Sequence, residues 1–523
     1  METIKSIVLS LLTPVVVWGC TFVDNPVTPE TNPEKSIVIL YENDVHGSID
    51  GYAKIAGLRD AIIQSDTAWV GVVSCGDFLQ GGVSAAITRG QGIVDIMKAV
   101  GYDAVTIGNH EFDYKTPHML SLLPKIEAPV VCANFFEYGA AKPYYEPYVI
   151  KTFGQKKVAF VGVCTPETMK AESYAFYDEE GKQLYDLKPQ ETYALVQQAV
   201  DNARQEGADY VVVLAHLGEL KKESGIYSLG LVEATKGIDV VLDGHTHSVI
   251  EHDYVKALDD KEIAVTQTGT AFANIGKLVI TTDGHFSTTL LPVKDLSYEN
   301  ASVTAAIEKV KADMEPVTSR KLASCTFDLM CKNDEGAWMV RTQETNLGDM
   351  IADAFRLRMK ADIGLMNGGG IRNGIKAGDI TYGDVFNVLP GDDHMVLIEA
   401  TGEQIIAMLE KSTAKCPVID GSFPQVSYLK YTVHTATHTV SDVEVYDAVK
   451  GAYQPIDKTK TYTIATTEYY SNGGYYSTLK PCKLLDYSSL VGRDCLSDYV
   501  ESLAKDGGLS AYANPQDRVK VLN

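Results

Sequence analysis

Positive charge is what this sequence has least of. Lys and Arg together number 46 against 69 Asp and Glu, which leaves 523 residues with a formal charge of −23. So acidic a chain lacks the basic face needed to neutralise a phosphate polymer, which argues against general nucleic-acid binding. An anionic ligand would require a local reversal of the field, by a cation cluster or a few arginines. Cysteine is also sparse, nine residues in all, and no two stand as CxxC, so zinc-ribbon and thioredoxin motifs are absent. Cys75, Cys132 and Cys164 each end an apolar run and read as small core residues. Cys325/Cys331 and Cys482/Cys495 are candidates for local disulfides in an oxidising compartment. There is no long internal repeat, and no low-complexity stretch beyond an N-terminal tether. What remains is ordinary globular composition, 45% hydrophobic and 22% charged, with length for two or three domains.

The apolar run Ile7–Val17 is too short for a helix that crosses a bilayer, which needs about 20 residues. It fits the apolar core of a secretory signal. Val17-Trp18-Gly19-Cys20 resembles the end of a bacterial lipoprotein signal, with Cys20 as the lipidated residue; a cleaved signal without lipid, or a buried strand, is the alternative. Residues 1–20 thus read as a signal peptide and 21–35 as a flexible tether. The expected location is outside the cytoplasm, as a periplasmic protein or outer-membrane lipoprotein of a Gram-negative bacterium.

From Ser36 to Val279 short β-branched runs alternate with helical-period stretches. The runs are Ile37–Tyr41, Trp69–Ser74, Ala104–Ile107, Val130–Cys132, Val158–Val163, Tyr210–Leu214 and Val240–Leu242. Ala53–Gln64, Ile93–Val100 and Thr192–Gln205 lie among them. Near-continuous apolar runs indicate strands buried on both faces, and the alternation indicates a layered α/β sheet. Ligands collect beyond the carboxyl ends of such strands. Glu299–Val317 reads as a linker helix. A second α/β region follows, with a helix Leu347–Met359 capped by Asn346.

The unusual residues stand where those strands end: Asn43-Asp44-Val45-His46, Gly76-Asp77, Gly108-Asn109-His110-Glu111-Phe112-Asp113, Ala215-His216-Leu217-Gly218 and Asp243-Gly244-His245-Thr246-His247. Of 11 histidines in the chain, five fall in these clusters. Imidazoles, carboxylates and an amide oxygen, without thiolate, suit Zn, Mn, Fe or Co better than Ca or Mg. Asp44, His46, Asp77, Asn109, His216, His245 and His247 are too many ligands for one ion. A pair of divalent ions about 3.5–4 Å apart accommodates them, with one carboxylate as the bridge.

The ordered set DxH, GD, GNHE, AHLG, GHTH resembles the calcineurin-like binuclear metallophosphoesterases, and GNHEFD resembles the secreted bacterial 5′-nucleotidase and UDP-sugar hydrolase family among them. Glu344-Thr345-Asn346-Leu347-Gly348, Asn367-Gly368-Gly369-Gly370-Ile371-Arg372 and Gly378-Asp379-Ile380-Thr381-Tyr382-Gly383 extend the likeness over the second half. The resemblance implies an α/β fold. A four-layer metallophosphoesterase domain of two stacked mixed sheets flanked by helices would span 36–298. A linker helix (299–320) and a C-terminal substrate domain (321–523) would follow. It implies one ion on Asp44, His46 and His247, a second on Asn109, His216 and His245, and Asp77 between them. His110 becomes the catalytic histidine, oriented by Asp113, although an acid at 113 also suits a helix N-terminus. Arg341, Asn367, Gly369 and Arg372 would hold the anionic part of the substrate, Tyr469 its flat part.

The sequence also departs from the family. An arginine found in some relatives four positions before Arg341 is Ala337. The ring expected after Leu389-Pro390 is replaced by Gly391, and Tyr475 stands where the ribose-binding Asp is expected. The implied activity is hydrolysis of nucleotides or related small phosphoesters. A 2′,3′-cyclic-nucleotide phosphodiesterase, a nucleotide-sugar pyrophosphatase or a sulfur-compound hydrolase are alternatives on the same scaffold, and a non-catalytic surface binding protein is a further one. The expected partner is a small phosphoester such as a nucleotide, not a nucleic-acid polymer. Any membrane contact would run through the lipid anchor, and the expected state is a monomer or weak oligomer.

Overall fold

Alternation along one strand sets the layering. In Ser36–Glu42, Ile37, Ile39 and Tyr41 turn one way and Val38 and Leu40 the other. The first three join Val158, Phe160, Val212, Leu214 and Leu242 from a second sheet, while Val38 and Leu40 meet helical residues such as Ile55, Ile93 and Met97. Two sheets therefore share one apolar seam, and each carries helices on its outer face. The structure is a computed structural model that describes residues 34–178, 180–221, 225–391, 393–471, 474 and 476–522. The signal segment, Cys20 and Tyr475 lie outside the described residues.

The first sheet runs in the order Phe286–Pro292, Asn274–Ile280, Ser36–Glu42, Ala68–Ser74, Ala104–Val105, its last three strands parallel. The second runs Val249–Lys256, Glu262–Thr268, Val240–Leu242, Tyr210–His216, Lys156–Cys164, Tyr148–Phe153, parallel at its centre and antiparallel at its edges. Both sheets are mixed. Register then fixes where the loops begin. Glu42 pairs with Ser74, Ser74 with Val105, and Leu214 with Leu242, so the loops leaving those strands start level with one another.

Two expected strands are shorter than the sequence suggests. Ala104–Ile107 forms strand only at Ala104–Val105, and Val130–Cys132 makes single bridges at Val130 and Val131. Beyond Val105 the chain turns toward the cluster of polar loops. There the Thr106 hydroxyl, rather than a ladder, donates to Val131 O at 2.9 Å.

The linker helix spans Ala301–Thr318 and is capped by Asn300, whose side chain accepts from Ser302 N and Val303 N. It buries Val303, Ile307, Val310 and Met314 against the helices of the first half. A separate apolar cluster begins at Leu322 and reaches Val519. Its sheet runs Pro424–Ser427, Ile363–Asn367, Thr461–Thr467, His394–Thr401, Lys483–Val491. Helix Asn346–Met359 buries Leu347, Met350, Ile351, Ala354 and Phe355 in that cluster, the spacing of an amphipathic face. Its cap is Thr345, which accepts from Gly348 N, and not Asn346. The Asn346 amide instead accepts from Met330 N and donates to Asp328 O and Tyr512 O, tying three segments together.

All eight cysteines among the described residues carry free thiols, so neither candidate pair is a disulfide here. Among the described residues no helix is long and apolar enough to cross a membrane.

The second half has a buried charge hub. The Arg518 guanidinium lies 2.7 Å from Asp353 and 3.6 Å from Asp349, and donates to Val426 O at 2.7 Å. Glu344 accepts the backbone N–H groups of Gln516, Arg518 and Val519, which docks the last strand. Removing the cation would leave the buried Asp353 carboxylate without its countercharge. Arg518→Met is expected to destabilise the fold by about 3–5 kcal/mol, read as a fall in thermal midpoint, with Arg518→Lys in between.

Candidate metal centre

Five loops deliver the polar residues to one place. The loop after Glu42 is sewn to the loop after Ser74, with Asp44 N donating to Gly76 O and His46 N to Asp77 O, both at 3.0 Å. This brings Asp44, His46 and Asp77 together with His247 so that one ligand atom of each lies within 4.8 Å of the others. His46 Nε2 and His247 Nε2 face each other at 2.9 Å. Asp44 Oδ1 lies 3.3 Å from His247 Nε2 and 3.8 Å from His216 Nε2. Asp77 Oδ2 lies 3.0 Å from His216 Nε2 and 3.8 Å from His46 Nε2. The His245 ring stands 5.4 Å from that of His216, and its Nδ1 meets Asn109 Oδ1 at 2.8 Å. All seven residues expected from the sequence are thus neighbours.

The donor set can be tested for cation binding. His216 Nδ1 is 2.8 Å from Cys75 O, so its N–H is spent on that carbonyl. The buried Nε2 then presents a lone pair toward Asp77 and has no hydrogen-bond partner, despite the 3.0 Å separation. A lone pair facing a carboxylate is repulsive unless positive charge lies between them. Such a histidine, with its second nitrogen donating to a backbone carbonyl, is the usual form of a metal-ligating imidazole. Burial opposes a charged His216 ring, but Asp77 and Asp44 overcome it and raise the group to about 10. The pocket calls for positive charge at Nε2, which a proton or a divalent cation supplies. Burial pushes His46 down to about 4, against the pull of Asp77 and Asp44, so its imidazole is neutral and ready to ligate. The arrangement fits divalent cations held by nitrogen and oxygen.

Backbone strain is concentrated here. Asp44, His46, Asp77, His245 and His247 all have positive φ, between 46° and 83°. Side chains rarely adopt that region, at a cost of roughly 1 kcal/mol or more each, and it persists only where the surroundings dictate it. Gly108 is required for a different reason. A Cβ at this position would stand 2.2 Å from Asp77 Oδ1 and 2.8 Å from the His216 ring.

Three residues that the sequence reading did not assign a role hold the loops. Glu111 is fully buried and accepts four backbone N–H groups, from Asp77 (2.8 Å), Phe78 (2.7 Å), Leu79 (3.0 Å) and Gly108 (2.6 Å). Burial and the Asp77 carboxylate push it up to about 7, while those N–H groups pull the other way. Asp243 accepts from Leu217 N and Gly218 N, and Gln267 donates to its other oxygen. Asn43 accepts from Thr268 N and donates to Asp44 Oδ2. The signal was in plain view, since each stands inside or beside a ligand motif.

His110 lies next to the cluster, its ring 5.1 Å from that of His46. Its backbone N–H donates to Asp77 Oδ1 at 2.8 Å, and its Nδ1 sits 3.0 Å from Asp113 Oδ2. Burial works against a charged ring, but Asp113 and Asp77 hold His110 well above the ordinary imidazole value. Asp113 closes the short 3₁₀ turn His110–Phe112 rather than opening a helix, so its carboxylate serves the ring and not a helix terminus. Glu172, absent from the sequence reading, joins these two within 4.8 Å.

In the second half Asn367 is buried, and its amide donates to Gly421 O at 2.7 Å and accepts from Gly370 N at 3.2 Å. Gly369 N donates to Gly421 O. A Cβ on Gly368 would fall 2.1 Å from Val340 O. These contacts shape the Gly-rich loop against its own chain. The Arg341 guanidinium stacks on Trp338 at 3.9 Å. Arg372 is exposed, with its backbone N–H on Val388 O. Tyr469 is 44% exposed, edge-on to Tyr470.

Stacked mixed sheets flanked by helices, with strand-end loops that gather Asp, Asn and His donors, define a calcineurin-like metallophosphoesterase. Comparison with known proteins agrees. Residues 328–480 match the 5′-nucleotidase C-terminal domain family, and residues 71–265 match the family described as bacterial capsule synthesis protein PGA_cap. The chain is 26% identical to a 5′-nucleotidase of Vibrio cholerae, over 90% of this chain and 91% of that one. It is 28% identical to the trifunctional nucleotide phosphoesterase protein YfkN of Bacillus subtilis over 84% of its own length, but spans only 32% of that protein. The crystal structure of a 5′-nucleotidase precursor from Thermus thermophilus superposes with a TM-score of 0.69 at 25% identity, covering 93% of this chain and 99% of that one. The chain is thus similar to the 5′-nucleotidase family of these metallophosphoesterases, and its residues 328–480 match that family's C-terminal domain.

Glu111→Gln would test the support beneath the ligands. An amide presents N–H toward two of the four N–H groups that the carboxylate now accepts. A loss of about 10–100-fold in divalent-metal affinity is expected, measured by titration calorimetry, with the circular dichroism spectrum unchanged.

Proposed function

We propose that this chain is an exported dimetal phosphohydrolase of 5′-nucleotidase type, releasing phosphate from nucleotides or related small phosphoesters. The observation that carries the reading is the gathering of Asp77 with six further nitrogen- and oxygen-donor residues, with the His110–Asp113 pair beside them. Asp44, His46 and His247 would hold one divalent ion, Asn109, His216 and His245 the other, with Asp77 shared. The ions would be Zn, Mn, Fe or Co, given the donors. Bound there, such a pair supplies charge for the phosphoryl oxygens and makes a water acidic enough to attack at neutral pH. That also answers the charge problem, because bound cations dominate the field at a site whatever the net charge of −23.

His110 then acts on the leaving group. As the ester P–O bond breaks, its electron pair passes to the leaving oxygen, which takes the proton of the imidazolium. Asp113 keeps Nδ1–H occupied and the ring aimed. The 36–298 segment would carry this chemistry and the 321–523 segment would grip the substrate through Arg341, Asn367, Gly369, Arg372 and Tyr469. The exposure of Arg372 and Tyr469 is compatible with that role. Export, as a periplasmic protein or lipoprotein, rests on the N-terminal sequence pattern.

Phosphate release from nucleoside monophosphates is expected to depend on added Mn²⁺, Co²⁺ or Zn²⁺ and to stop with excess chelator. Asp77→Asn should lower kcat/KM by roughly 10²–10⁴, the several kcal/mol that such ions contribute. Turnover unaffected by either change would sink the reading.

A further inference from the structure

The His110–Asp113 turn is braced from behind by the four-residue helix Ser173–Phe176, to which neither the sequence motifs nor the reading above gives a role. Three contacts dock this helix. Phe176 packs on Phe112 with ring centroids 4.8 Å apart, both rings fully buried. The Thr116 hydroxyl donates to Ala175 O at 2.7 Å. Tyr174 turns its hydroxyl to the backbone oxygen of Asp113 at 3.2 Å and to Glu172 Oε2 at 2.5 Å. Glu172 itself stands with His110 and Asp113 in one group whose ligand atoms lie within 4.8 Å.

The hydroxyl of Tyr174 has one proton and two acceptors. The short bond to Glu172 is the stronger, as expected for a donor meeting a carboxylate. It fixes the phenol so that its oxygen abuts the residue whose side chain orients the histidine. Glu172 therefore stands beside the His110–Asp113 pair directly, while the one proton of the Tyr174 hydroxyl is shared by alternation between Glu172 Oε2 and Asp113 O and so ties the turn to Glu172. The second half of the molecule is close by, since Asp393 adds to the charge around Glu172 and Glu468 to that around Tyr174. Burial, then Asp113, raise Glu172 to about 7, so an assay at pH 8 keeps it ionised.

We infer that Glu172 and Tyr174 are positioning residues that hold the His110–Asp113 pair in line with the leaving oxygen. The inference rests on the proposal that His110 protonates that oxygen. The step balances with water as the only co-reactant: a water oxygen bonds to phosphorus as the ester P–O bond breaks, and the pair from that bond and the imidazolium proton both end on the leaving oxygen. A small misplacement of an acid group costs rate only where its proton is needed.

The test compares two esters at pH 8 with saturating Mn²⁺. In p-nitrophenyl phosphate the leaving group departs as a stable anion, and in a nucleoside 5′-monophosphate it is an alkoxide that must be protonated. Glu172→Gln and Tyr174→Phe are expected to lower kcat on the nucleotide about tenfold, part of the 10²–10⁴ that a general acid contributes. KM, bound metal and kcat on the aryl ester should stay within about twofold, and Glu172→Asp should recover part of the loss. Tyr174→Phe loses only an oxygen on a half-exposed ring, so it serves even where a change at Glu172 impairs folding. Equal losses on both esters, or no loss on either, would overturn the inference provided His110→Asn shows the leaving-group dependence. If His110→Asn itself slows both esters equally, the general-acid reading falls, and the inference falls with it.

Discussion

One buried carboxylate holds the centre together. Glu111 accepts four main-chain N–H groups from two different loops, the one carrying Asp77 and the one carrying Asn109 and His110. Without an acceptor there, those N–H groups would be stranded in a water-free interior, at about 1–3 kcal/mol each. Asp243 repeats the device for the loop after His216, and Asn43 for the loop that bears Asp44. Five residues of the cluster in left-handed backbone are the complement of this bracing. Strain of that kind survives only where neighbouring contacts leave the chain no alternative.

Electrostatics follow from the bracing. Asp44 and Asp77 are buried together among imidazoles, and neither can be solvated. His216 has given its N–H to Cys75 O and turns a lone pair on Asp77, whereas His46 is left neutral by burial. Opposed nitrogens and carboxylates at 3–4 Å make a pocket shaped for positive charge. His110 stands just outside it, held cationic by Asp113 and Asp77. The proposed divalent site and acid group would share Asp77: Oδ2 faces the His216 and His46 nitrogens, and Oδ1 accepts the His110 backbone N–H.

The second half uses buried polar groups for docking more than for display. Glu344 and Asn346, in the motif that resembles the nucleotidase branch, fasten the C-terminal strand and the Met330 segment. The glycines of the loop after Asn367 are explained by close approach to Val340 and Gly421 within the chain itself. Motif residues there therefore do two kinds of work. Arg372 and Tyr469 are exposed, whereas the Asn367 amide is enclosed and bonded to Gly421 O.

The sequence by itself determined the layered α/β architecture, most strand cores and the seven polar residues that the strand-end loops bring together. Each depends on local signals: β-branched runs, helical spacing, and His or Asp placed at strand ends. Helix Thr192–Gln205 has the bounds that its spacing predicts. Tertiary structure alone decided the rest. Val130–Cys132 reads as strand but finds only single-bridge partners, because its neighbour at Thr106 has already turned toward the site. Asn346 reads as a cap, but a carboxamide that can satisfy three distant backbone groups is better used inside, and Thr345 caps instead. The brace at Glu172 and Tyr174 could not be seen in advance. It lies some sixty residues from Asp113, and its contacts arise only when two loops with no shared periodicity are packed face to face.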